Sequence, residues 1–110
     1  MVQTPGDAEI DNFDVVIVGG GPGGYAAALY GAAGGLSIAM IEKDKVGGTC
    51  LHRGCIPAKQ FLETAAVLRS VRGASRFGIS ARKPTLDFQV SLARKYKVVD
   101  QLFRGLTGLL

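Results

Sequence analysis

The run Phe13-Asp14-Val15-Val16-Ile17-Val18 passes without a spacer into Gly19-Gly20-Gly21-Pro22-Gly23-Gly24. Few junctions restrict a fold more. A β-branched run of this kind suits a buried parallel strand. The glycines after it satisfy the G-x-G-x-x-G spacing, and each answers a separate steric demand. Gly19 permits a tight turn, Gly21 lets a pyrophosphate come close to the backbone, and Gly24 lets a following helix lie against the strand. That helix presents unpaired N–H groups and the positive end of its dipole to any phosphate in the turn.

The rest of the first half completes a βαβ unit. An alanine-rich helix is expected from Tyr25 to Ala33, ending at Gly34-Gly35, and a second strand over Leu36–Ile41. A right-handed crossover joins the two strands. Glu42 ends the second strand, where it can accept hydrogen bonds from a ribose; an acid there disfavours NADP, whose 2′-phosphate it would repel. The turn itself does not choose between FAD and NAD. Lys43 to Gly54 reads as a glycine-rich loop. Phe61, Leu62, Ala65, Leu68 and Val71 give helical spacing from Ala58 to Ser75, and residues 78–85 form a connection. Phe88, Leu92, Tyr96, Val99, Phe103, Leu106 and Leu110, flanked by Leu102 and Leu109, predict a long amphipathic helix that runs off the end of the chain.

Composition narrows the functional classes. With 110 residues the chain is one small unit, in which roughly two-thirds of the unfolded surface can be buried. Residues 1–12 read as a polar leader and 13–110 as a single nucleotide-binding unit. Four of the nine acids fall in the first fourteen residues, and the remainder holds thirteen bases against five acids. Those bases are scattered and lack interleaved aromatics, which argues against nucleic acid. No apolar run reaches the length of a membrane span, and the acidic start is unlike a secretory signal, so the reading is cytoplasmic with no membrane partner. The apolar ending Gly108-Leu109-Leu110 gives the appearance of truncation.

Cys50 and Cys55 bracket Leu51-His52-Arg53-Gly54 and precede Ile56-Pro57-Ala58-Lys59. Zinc would find three ligands in Cys50, His52 and Cys55, where structural zinc wants four, so no metal site is expected. Two unrelated buried thiols are a second reading. The third is a redox pair. In a regular helix, residues five apart are separated by roughly 7.5 Å along the axis, beyond the ~7 Å that a disulfide spans. A bridge therefore requires irregular backbone, which Gly54 allows, before a helix that accepts Pro57 in its first turn. A thiolate near that helix terminus and near Lys59 or Arg53 is expected to have a lowered pKa.

Phe13 through Tyr25, Ile41-Glu42-Lys43, Gly47-Gly48-Thr49-Cys50 through Cys55-Ile56-Pro57-Ala58-Lys59, and Arg94 through Leu102 together resemble the N-terminus of the flavin-dependent disulfide reductases, the class I pyridine nucleotide-disulfide oxidoreductases. The resemblance implies an α/β fold, the N-terminal part of a doubly wound, Rossmann-like FAD-binding domain. It places Gly19, Gly21 and Gly24 on the FAD pyrophosphate, Glu42 on the adenosine ribose, and Lys43, Gly48 and Thr49 along the cofactor. It makes Cys50 the interchange thiol and Cys55 the thiol against the flavin, joined as a redox disulfide, with Lys59 tuning the ring. The implied reaction oxidises protein-bound dihydrolipoamide and delivers hydride to NAD, held outside this chain. Implied partners are the lipoyl domains of 2-oxo acid dehydrogenase or glycine cleavage complexes, and a second subunit. Members acting on glutathione or mercuric ion, and a non-catalytic FAD- or NAD-binding module, are the alternatives.

His52, Arg53 and Ala58 stand where the family commonly has asparagine, valine and serine. Arg53 is a candidate thiolate stabiliser, and His52 is a weak candidate for a catalytic base. The chain is about a quarter of a family member, so by itself it is expected to bind FAD weakly and turn over nothing.

Overall fold

The computed structural model describes residues 12–110, so the leader lies outside the described residues apart from Asn12. Strands β1 (Val15–Val18) and β2 (Ile38–Ile41) pair in parallel, with Val15 opposite Ile38 and Val18 opposite Ile41. Helix α1 (Pro22–Ala33) crosses between them. Both strands are two residues shorter than their hydrophobic runs. The residues ahead of them form a clip instead: Asp14 Oδ2 accepts from the Ser37 N–H and hydroxyl, both at 2.8 Å. The Asp14 N–H donates back to Ser37 Oγ at 3.0 Å.

Helix α1 starts three residues earlier than the alanine run suggests, because Pro22 occupies its first position. Proline is favoured there, since it has the right φ and no N–H to leave unpaired. The helix packs on the sheet face that carries Ile17 and Ile38. The opposite face is open, and Val16 and Val18 are 56% and 83% exposed. The expected burial of β1 on both faces is thus not observed. Among the described residues, a two-stranded sheet with one covering helix has nothing to place on its second face.

The stretch from Lys43 to Gly54 is not all loop. It contains a five-residue helix, α2 (Gly48–His52). Helix α3 (Cys55–Arg72) follows, starting three residues before the expected Ala58, with Pro57 in its first turn. A 3₁₀ turn over Ala74–Phe77 takes up the end of the expected helix. Helix α4 (Phe88–Thr107) does not run off the chain but stops against Gly108. Its start is capped by Asp87, whose Oδ1 accepts from the Gln89 and Val90 N–H groups at 2.9 and 3.2 Å. Helix α4 packs against α3 and α2. Phe61 stacks on Phe88 with ring centroids 5.7 Å apart, and the Thr64 and Ser91 hydroxyls meet at 3.0 Å. The predicted apolar stripe is only half used: Leu92, Val99, Phe103 and Leu106 are partly covered, whereas Tyr96 and Leu109 are more than 60% exposed. No helix among the described residues is long and apolar enough to cross a membrane.

Candidate active site

The glycine turn is braced by the strand end beside it. Gly19 adopts φ +103° and donates its N–H to the Ile41 carbonyl at 2.8 Å. The Gly20 N–H donates to Glu42 Oε2 at 2.7 Å, and the Asp44 N–H donates to Oε1 at 3.0 Å. These backbone donors, Gly20 first, hold the Glu42 carboxyl below the usual carboxylate range. Glu42 therefore has a structural duty that its position in the sequence did not disclose. Each of its oxygens keeps a further lone pair for a ligand.

The other glycines divide into two kinds. A Cβ on Gly24 would collide with the Gly19 carbonyl oxygen, so this glycine serves the packing of α1 on β1. A Cβ on Gly21 or Gly23 would meet nothing within 4 Å. Those two border open space at the first turn of α1, where no side chain caps the helix. Unclaimed helix N–H groups beside a bare backbone fit a diphosphate.

The cysteine segment is built directly onto this turn. The Gly47 N–H donates to the Gly20 carbonyl at 2.7 Å. A Cβ on Gly48 would lie 2.9 Å from Gly21 Cα, so only glycine lets α2 start here, and its φ of +57° makes the same demand. Cys50 lies half-buried in α2, beside the buried Leu51. The backbone then leaves helical geometry at Arg53 and Gly54, and Cys55 opens α3 with its side chain exposed. The irregular backbone that the five-residue spacing demanded is present.

Both thiols are free. The expected lowering of a thiol pKa is not found at Cys50, which is pushed up instead. Hydrogen bonding to Cys55 is the main cause, followed by desolvation. Two thiols this close resist carrying two negative charges. Lys59 opposes the rise through its charge and is a weaker influence. It is Lys59, on the first turns of α3, and not Arg53, whose charge acts on Cys50. His52 is engaged elsewhere: its Nε2 donates to the Val46 carbonyl at 2.9 Å and its ring meets Phe103 edge-on.

Two clefts flank α2. One, of about 260 Å³, is lined by Glu42, Lys43, Gly48, Thr49, His52 and Arg53 and collects four of the expected cofactor residues. The other, of about 610 Å³, lies on the Cys50 side among Tyr25, Leu51, Ile56, Leu102 and Leu106. The aromatic and aliphatic walls of this second cleft were hidden in sequence, because α1, α2, α3 and α4 contribute them separately. Among the described residues, no cluster of histidine, cysteine and carboxylate side chains has the form of a metal site.

A parallel βαβ turn with a two-cysteine segment seated on it is the architecture of a nucleotide-dependent disulfide oxidoreductase. In agreement, residues 13–109 match the family described as pyridine nucleotide-disulphide oxidoreductase. The chain belongs to that family. Among curated proteins it is similar to a dihydrolipoyl dehydrogenase of Bacillus subtilis (strain 168), at 49% identity over 98 residues, covering 89% of this chain and 21% of that protein. The dihydrolipoyl dehydrogenase of Chlamydia muridarum is 45% identical over 98 residues, with 89% and 21% covered. That of Acholeplasma laidlawii is 44% identical over 99 residues, with 89% and 30% covered. The chain thus spans between a fifth and a third of the length of these relatives.

Proposed function

We propose that this chain is the FAD-holding and dithiol-bearing portion of a dihydrolipoyl dehydrogenase. The whole protein would oxidise protein-bound dihydrolipoamide through a Cys50–Cys55 disulfide and pass the electrons to NAD at a site outside these residues. The observation that carries the reading is the contact between the two motifs. The Gly47–Gly20 hydrogen bond and the approach of Gly48 to Gly21 hold the Cys50 helix, α2, on the rim of the glycine turn.

The residues fit FAD. Gly21, Gly23 and the open end of α1 would take its pyrophosphate, Glu42 its ribose, and Lys43, Gly48 and Thr49 would flank it. When bound, FAD would supply the two-electron relay between the reduced cysteine pair and NAD. The sulfur chemistry belongs to the chain itself. With the pair oxidised, one substrate thiolate attacks the Cys50 sulfur, breaking the Cys50–Cys55 bond and releasing Cys55 as a thiolate. The second substrate thiolate attacks the sulfur already joined to Cys50, closes the substrate disulfide and frees Cys50. Two protons leave the substrate, and both cysteines end reduced. In the reduced pair, hydrogen bonding to Cys55 raises the pKa of Cys50 and helps it keep its proton. Lipoyl domains, a second subunit and the cytoplasm are the partners and the location that this reading implies.

Anaerobic titration of the intact protein with dithionite tests it. A long-wavelength absorption band should grow to a maximum at two electrons per FAD and vanish in Cys55→Ser. A bleached flavin with no such band in the native protein would reduce the chain to a nucleotide-binding module with idle thiols. Activity with dihydrolipoamide, compared with glutathione and mercuric ion, decides the substrate.

A further inference from the structure

Helix α2 is five residues long, carries glycine at its first position and has no side-chain cap. A helix of one turn has almost no stability of its own, because nucleation is not repaid by propagation. The direction in which Cys50 points is therefore set by whatever holds α2 from outside. On one side Gly47 and Gly48 fix its start to the glycine turn, and Leu51 is buried. At its end the hold is His52. A carbonyl oxygen can only accept, so the 2.9 Å contact with Val46 places a proton on Nε2. The ring also stands edge-on to Phe103 of α4, with centroids 5.4 Å apart and planes at 65°. Val46 in turn rests against the turn, since a Cβ on Gly20 would meet its Cγ1 at 3.1 Å.

We infer that His52 is a positioning residue for the dithiol, tying the end of α2 to Val46 and to α4 and so fixing Cys50 against Cys55. The inference rests on the reading of Cys50 and Cys55 as a redox pair. It assigns a role to a side chain that lies between the two cysteines and takes no part in proton transfer. His52 is anchored at two points that an asparagine could not both reach, since the amide is shorter and has no ring for Phe103. A loosened α2 lets the two sulfurs drift apart. Their effective concentration falls, and the disulfide becomes harder to form.

The measurement is the equilibrium of the intact protein with a glutathione buffer. In that reaction Cys50–SH and Cys55–SH are oxidised to the disulfide while one glutathione disulfide is reduced to two glutathione thiols. His52→Phe keeps the ring against Phe103 and removes the hydrogen bond. His52→Gln keeps a donor at nearly the same reach and removes the ring. The oxidation constant is expected to fall about tenfold in His52→Phe, equivalent to about 30 mV for a two-electron couple, and to recover to within about threefold of native in His52→Gln. Phe103→Leu, distant in sequence, should lower it in the same direction and serves if His52→Phe does not fold. Equal constants in native protein and in every folded variant would overturn the role of His52. A native protein that forms no Cys50–Cys55 disulfide at all would instead overturn the redox reading on which the role depends.

Discussion

The glycine turn with its cysteine helix and the α3–α4 arm are held together in opposite ways. Around the turn the contacts run from backbone to backbone: Gly24 against the Gly19 carbonyl, Gly48 against Gly21, and Gly47 N–H on Gly20 O. In the arm they run from side chain to side chain, through the Phe61–Phe88 stack and the Thr64–Ser91 pair. Backbone contact tolerates one residue type, because any Cβ intrudes. Side-chain contact tolerates many, because a groove can be refilled. The turn should therefore be brittle and the arm forgiving.

The sharpest way to break that contrast is Gly24→Ala. The new methyl has no room against the Gly19 carbonyl, and a loss of about 3 kcal/mol is expected from overpacking, read as a lower urea midpoint. An unchanged midpoint would mean that α1 can move off the strand and that the turn is not brittle. Leu51→Ala comes next, since this side chain is buried against Gly47 and borders the Cys50 cleft. About 2–3 kcal/mol should be lost, and alkylation of Cys50 should become faster. In the arm, Asp87→Ala removes the cap of α4 and should cost about 1 kcal/mol, while Asp87→Ser should recover most of it; circular dichroism with denaturant checks both.

The smallest effect is a slope. The carboxyl of Glu42 is held below its ordinary range by backbone donors, so its folded pKa lies under its unfolded one. Its contribution is present above the unfolded value and is lost as pH falls through the folded value. Stability should drop on acidification through that window, and Glu42→Gln should flatten the part of the drop that this residue causes. A Glu42→Gln profile parallel to native would show that the carboxylate does not brace the turn.

The two regions also differ in how plainly they could be read. The βαβ unit was legible because strand composition, glycine spacing and helix composition agree over Phe13–Ile41, although β1 is open on the face where its apolar run predicts burial. Helix α2 was not, since five residues that begin with glycine carry no measurable period, and a long-range hydrogen bond to Gly20 creates it. Asp87 was a readable signal, an acid directly before the apolar period of α4, and the reading of residues 78–85 as a connection stopped short of it. The rise at Cys50 depended on how close Cys55 comes once the chain breaks at Gly54, and five letters of spacing do not give that distance. His52 looked like chemistry because of its neighbours in sequence; its neighbours in space, Val46 and Phe103, make it a strut.

The 2.7 Å hydrogen bond from Gly47 to Gly20 is made entirely of main-chain atoms. No substitution can delete its donor except proline at Gly47, and none can delete its acceptor. The distance between the cysteine segment and the glycine turn is thus written in the part of the polymer that mutation hardly edits. Side chains along α3 and α4 can change while these two segments stay in register.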